Sequence, residues 1–353
     1  MTAVRESRAK SLRRGSRIKK AVTGVVIAAV VLGGCAFLIA KAPSYLAATK
    51  ADAAARALPS TRPRSPLSPS GVSPGPSLSS TPPSAQLGSC ALPRYPTPSC
   101  TGVPRGTVLT TIKGDFTASA AGEVVNAKHI TGDVFIRADN VVIQNSEIDG
   151  TVYNDQGSRH WSFTVTDTTI GPASGCIGQP AVNDSNYVAV RVRSRGHDDG
   201  FRVGPPGNVK IYDSYVENCY NPPSIDPPDG SHSDGVQAVC GGVPCVGLTV
   251  VHNTFDGRKV PTTNMLNLTD PALSNVTATD NLMGGGAYVV DAWWHSGPNW
   301  IIRNNRFVEN AWSYGAVSAE NTCSHQDWSG NTLVTIDGNY NVTSTVGPQP
   351  CIE

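Results

Sequence analysis

Two heptads carry the residues most able to do chemistry. His197 to Val203 reads HDDGFRV and His232 to Ala238 reads HSDGVQA, so His-x-Asp-Gly is followed each time by apolar, polar and apolar residues. A folding repeat explains the glycine and the apolar positions but not the His and Asp. If the heptads lie on neighbouring strands, Asp199 sits about one strand spacing from Asp234, and His197 near His232. Two carboxylates that close share a proton, bind a cation, or divide into acid and base. In a hydrolase, Asp199 and Asp234 would be acid and base. In a lyase they would hold Ca²⁺ through hard oxygens, and Arg202 or His232 would take the proton. The structural alternative is ordinary Asp-Gly turn chemistry. Asp198 is a third carboxylate, which strand alternation turns away.

Other residues extend this set. Alternation places Arg202 and Gln237 outward, and Asn267 and Asp291 fall at comparable positions in MLNL and YVVDAWWH. Trp293, Trp294 and His295 follow Asp291. Aromatic faces with a polar handle suit sugar rings, and one Trp is expected inward and one outward. Gln237, Asn267, Asp291, Trp293, Trp294 and His295 are therefore the expected substrate-binding residues. Trp312, Tyr314 and Glu320 offer a similar set further on. Arg191, Arg193 and Arg195 alternate with Val190 and Val192 as an exposed basic row, either an acidic-glycan contact or a solvated, charge-balanced face.

These residues need a regular scaffold, and the sequence supplies one. A six-residue pattern, apolar at its ends and small or amide-bearing within, begins at 143, 165, 187, 211, 250, 278, 302 and 328. Periods near 22 to 24 residues mean a solenoid. β-branched residues and period-two alternation make its units strands. Three short strands and three bends per turn predict an all-β parallel β-helix, with Asn, Asp and Ser stacked at the bends. Longer spacings mark inserted loops, the largest containing NPPSIDPPDG.

The stretches VFIRADNVVIQN (134–145), NVKIYDS and NWIIRNN resemble right-handed parallel β-helix proteins of the pectin-lyase-like superfamily, over roughly residues 105 to 340. The resemblance implies a right-handed winding and places the chain among polysaccharide lyases, glycoside hydrolases, epimerases, tailspikes and adhesins. SDGV at 233–236 resembles the Asn-Thr-Asp-Gly element of polygalacturonases, and Asp198–Asp199 their paired Asp. The order is reversed, and neither Gly-His-Gly nor Arg-Ile-Lys occurs. The Arg-x-Pro-x-x-Arg pattern of pectate lyases is absent.

The remaining organisation concerns location. Eight Lys or Arg against one Glu precede residue 21, and Ala21 to Ala40 is an uncharged apolar run. This reads as a basic cytoplasmic tail (1–20) and a transmembrane signal anchor (21–41), with the rest outside. A cleaved signal, with small residues near 51–55, and a lipoprotein signal at LGGC (32–35) are the alternatives. Residues 42–89, rich in Pro, Ser and Ala, form a disordered linker. The extracellular β-helix domain spans 90–353. From residue 90 there are 15 Lys and Arg against 25 Asp and Glu, a net −10, which argues against a nucleic-acid partner. Eight cysteines in an exported domain suggest disulfides. Proximity pairs Cys90–Cys100, Cys240–Cys245 and Cys323–Cys351, leaving Cys176–Cys219. The Ala- and Pro-rich composition suggests a bacterial source. The expected function is extracellular lysis or hydrolysis of a polysaccharide by a monomer, with Ca²⁺ as the lyase's cofactor. The alternative is a non-catalytic carbohydrate-binding or adhesin-like surface protein.

Overall fold

Short strands of alternating inward and outward side chains wind into three stacked parallel sheets. The computed structural model describes residues 90–154, 159–226, 230–261, 264–294 and 300–353. The basic tail, the anchor, the linker and His295 lie outside the described residues. Among those described, no helix is long and apolar enough to cross a membrane, and the one helical element is a short 3₁₀ turn, Cys323–His325.

The first turn of the chain sets the plan. Thr110–Ile112, Phe116–Ala118 and Val124–Asn126 open sheets I, II and III in that order. Successive turns add one strand to each, giving 11 strands in sheet I and nine each in sheets II and III among the described residues. Every pairing is parallel except the last, where Val342–Pro348 runs antiparallel to Thr332–Ile336. This is the expected β-helix.

Inward side chains stack coil over coil. In sheet III, Val165, Ala189, Ile211, Val250, Ala278 and Ile302 pair in sequence and all are fully buried. Each such Val or Ile contributes about 1.5–3 kcal/mol through burial. The expected repeat start at 187 is corrected to Ala189, because Tyr187 pairs with Phe163 two positions earlier. An earlier coil, marked by Val125 opposite Ile143, also belongs to the series.

The bend from sheet III to sheet I needs one left-handed residue per coil. His252, Asp280 and Asn304 take it, at φ 56°, 59° and 58°; Asn and Asp tolerate that region through local side-chain hydrogen bonds. Next come the buried amides Asn253, Asn281, Asn305 and Asn331. The backbone N–H of Asn253 donates to Asn281 Oδ1 (2.9 Å), that of Asn281 to Asn305 Oδ1 (3.0 Å), and that of Asn305 to Asn331 Oδ1 (2.9 Å). Their Nδ2 groups donate to carbonyls such as Val250 O (2.9 Å). Each amide thus meets its donor and acceptor needs inside the ladder.

Four disulfides, Cys90–Cys100, Cys176–Cys219, Cys240–Cys245 and Cys323–Cys351, pair as sequence proximity orders them.

Candidate functional site

Sheet II brings the two heptads together. Phe201–Val203 pairs with Val236–Ala238, so Phe201 lies beside Val236, Arg202 beside Gln237, and Val203 beside Ala238. Phe201, Val203, Val236 and Ala238 point into the core. The glycines have a packing reason. A Cβ at Gly200 would lie 2.6 Å from the Gly235 carbonyl oxygen, and one at Gly235 would lie 2.5 Å from that of Met265. Coil must sit on coil here with nothing between them.

The outward position after the first core residue repeats in every coil. Gln237 pairs with Asn267, Asn267 with Asp291, and Asp291 with Ser318. The row also runs the other way, through Tyr153, Phe135 and Thr117. Asn183 holds the same register between the halves, since it pairs with Tyr153 and its predecessor Val182 pairs with Phe201, but its side chain is buried. From Phe135 to Ser318 the row crosses eight coils, about 34 Å at about 4.8 Å per strand. The rings of Phe135 and Tyr153 stack at 5.4 Å and 11°. Sequence reasoning missed this upstream half. Its signal was present: an outward aromatic follows the core residues Val134 and Val152, as Arg202 follows Phe201. Two residues beyond the row, Trp293 is 38% exposed and pairs with the exposed Glu320.

Beneath the row lie the two carboxylates, buried at the bend between sheets I and II. Asp199 is 4% exposed and Asp234 1%. Asp199 Oδ1 accepts the Asp234 backbone N–H (2.8 Å), and Asp234 Oδ1 that of Asn264 (2.9 Å). The second oxygens face the outward row. Arg202 Nη2 reaches Asp199 Oδ2 at 3.3 Å and donates to Gln237 Oε1 at 3.0 Å. Asn267 donates to Asp234 Oδ2 (2.9 Å), Gln237 hydrogen-bonds Asp234, and Thr269 donates to Asn267 Oδ1 (2.9 Å). One polar network therefore spans three coils.

Burial dominates the electrostatics. It raises Asp234 well above the carboxylate range, helped by Asp199 and opposed by the donors. It also raises Asp199, against the N–H of Asp234 and the Arg202 charge. Asp198, whose Oδ1 accepts the Asp199 N–H at 2.8 Å, is pushed up to about 7, by burial first and then by Asp199. Asp291 is raised by burial, opposed by Ser318 and Trp293, and its buried Oδ1 has no partner among the described residues.

The histidines do not follow the carboxylates. His197 is 1% exposed and belongs to sheet I, where it pairs with Asn218. Its Nδ1 lies 2.8 Å from Gln179 O and its Nε2 3.3 Å from Gly150 O. His232 is exposed, on the long connection between Asn218 and Val236. The expected stacking of His197 with His232 is corrected on this point. The heptads are equivalent from the Asp onward, but the chain reaches them by a direct bend in one coil and a long loop in the next. Burial lowers the His197 pKa, and the neutral ring donates one N–H, to either the Gln179 or the Gly150 carbonyl.

Trp294 is half-buried against the core and stacks on His325 at 3.7 Å. Trp312 is also half-buried against the core, and Tyr314 is exposed beside Tyr288, 5.9 Å between rings. Ca²⁺ does not fit between Asp199 and Asp234. Their oxygens already face backbone N–H groups, the Arg202 guanidinium and side-chain amides, whereas Ca²⁺ needs six to eight oxygen ligands. No protein-family model, curated protein or solved structure matches this chain.

Proposed function

We propose that this chain is a polysaccharide-active protein of the pectin-lyase-like superfamily, wound right-handed, that binds one glycan strand along sheet II and hydrolyses it. The observation that carries this reading is the sheet II row, which faces outward on seven of its eight coils and is interrupted by the buried Asn183. It combines an aromatic stack, hydrogen-bonding side chains and a carboxyl with an unpartnered oxygen, on a pitch of about 4.8 Å. Arg202, Gln237 and Asn267 meet hydroxyl or carboxylate substituents, and Asp199 and Asp234 hold those three in place. Trp293 offers its face to a sugar ring.

Asp291 is the half-buried carboxyl of the row whose surroundings favour the protonated form, so it is assigned the role of general acid. Glu320 lies one coil on and two residues along. That offset is about 8 Å between backbones, on the same outward face of sheet II. Glu320 then activates water on the opposite face of the sugar ring. Hydrolysis is preferred to lysis because Arg202 is tied to Asp199 and Gln237 as a cation, leaving it suited to charge stabilisation rather than proton removal. Four disulfides suit an oxidising, extracellular setting, with residues 21–41 as the anchor.

The test is the full-length chain incubated with uronate and neutral polysaccharides, with and without chelator. New reducing ends without ultraviolet-absorbing products, lost in Asp291→Asn, are expected. Unsaturated products would turn the reading to a lyase. A second reading, carbohydrate binding without cleavage, is favoured by the complete hydrogen bonding of Asp199 and Asp234. It predicts retention of glycan, no products, and no change in Asp291→Asn.

A further inference from the structure

Sheet I carries the basic row noted in the sequence, and its three arginines have different fates. Arg191 makes a two-point pair with Asp167, at 2.6 and 2.7 Å. Arg195 reaches Glu147 at 2.6 Å and Gly171 O at 3.2 Å. Arg193, between them, has no carboxylate partner among the described residues, and its Nε is buried without a hydrogen bond. An arginine half-buried without a partner is unusual in a domain with a net −10.

Arg193 lines a cleft of about 400 Å³, within the size range of small-ligand sites. Arg195 and Lys259 line it too, and Glu217, its one acidic residue, is held by Lys259 at 3.0 Å. With the other charges paired, the Arg193 guanidinium is left to face the cleft. Its planar fork matches a carboxylate at two points.

We infer that this cleft is a second, non-catalytic binding site that takes a carboxylate-bearing sugar unit on Arg193. That it takes a carboxylate stands without the reading of sheet II; that the carboxylate belongs to a sugar rests on that reading. A strand bound on sheet II and a neighbouring segment bound on sheet I would tether the protein to an acidic polymer at two points.

The test uses the full-length chain carrying Asp291→Asn and Trp293→Ala, which removes the proposed general acid and weakens the sheet II groove. Titration calorimetry compares digalacturonate, its carboxyl-reduced neutral counterpart and acetate. Expected is binding of digalacturonate alone, weakened at least about tenfold by Arg193→Gln and partly retained by Arg193→Lys, with thermal unfolding unchanged in both. Equal binding of neutral sugar, equal binding of acetate, no binding, or unchanged affinity in Arg193→Gln would each overturn the inference. Absence of hydrolysis by the parent chain, which keeps Asp291 and Trp293, with this binding intact would refute the sheet II reading alone.

Discussion

Two bends of this molecule solve the same problem with different chemistry. At the bend from sheet III to sheet I, amides stack: Asn253, Asn281, Asn305 and Asn331 each accept an N–H or pass one on, and donate to a carbonyl. At the bend from sheet I to sheet II, Asp199 and Asp234 accept the next coil's N–H in the same way. A carboxylate cannot donate, so its second oxygen needs a donor from elsewhere. Arg202, Gln237 and Asn267 supply it. Stacking therefore needs an acceptor oxygen at a bend and is indifferent to whether an ionisable group provides it. The amide ladder closes on itself. The carboxylate ladder holds a set of polar side chains on the outer face.

The comparison breaks first at the amides. Asn281→Ala leaves buried N–H and C=O groups unmet on two coils and is expected to cost about 3 kcal/mol or more in urea unfolding, without changing which glycan is bound. Arg202→Met takes the cation from Asp199, and a loss of about 2 kcal/mol is expected, with weaker glycan binding measured on the same sample.

The acid side gives a pH signature. The pKa values of Asp198, Asp199 and Asp234 are raised in the native state, so it gives up their protons at higher pH than the unfolded chain, which releases them at about pH 3.9. The native state binds more protons there, so stability falls as pH rises from about 4, and for Asp198 levels off above about 7. Asp234→Asn keeps an acceptor for Asn264 and removes one such group. It should be more stable than the parent at pH 8, by about 1 kcal/mol, and lose that advantage near pH 4 in parallel unfolding curves. An advantage that persists at pH 4 would mean that Asp234 behaves as one more ladder amide.

Smaller effects sharpen the contrast. Trp293→Ala should leave stability within about 1 kcal/mol and weaken glycan retention about tenfold by affinity electrophoresis. His232→Ala should change thermal stability by less than about 0.5 kcal/mol, since the side chain is exposed on a loop.

The solenoid was legible because its constraint is periodic: inward apolar residues and bend amides recur each coil, and so do their letters. The outward row was legible from Arg202 to Asp291 for the same reason. His197 and His232 misled because sequence spacing within a heptad says nothing of the path leading into it. A three-residue bend puts one histidine in a buried strand, while the long connection leaves the other outside. Phe135 and Tyr153 were overlooked because single aromatics in short strands look like core. Only the register turns them outward. The lone status of Arg193 could not be read at all, since three alternating arginines look alike until their partners across sheet I are known.

The last strand of sheet I is covered in a way no other described strand is. A stack of parallel strands has no intrinsic reason to stop, because each edge is a template for another strand. Here the chain reverses after residue 341 and lays Val342–Pro348 antiparallel on the last strand of sheet I. Gln349 O then accepts the Trp328 indole N–H of sheet III at 2.7 Å, and Cys351 is bonded to Cys323. A strand of opposite polarity offers the wrong register to an incoming parallel coil. Val342–Pro348 thus covers the sheet I edge of the last coil, and the Cys323–Cys351 disulfide fastens the segment that follows it.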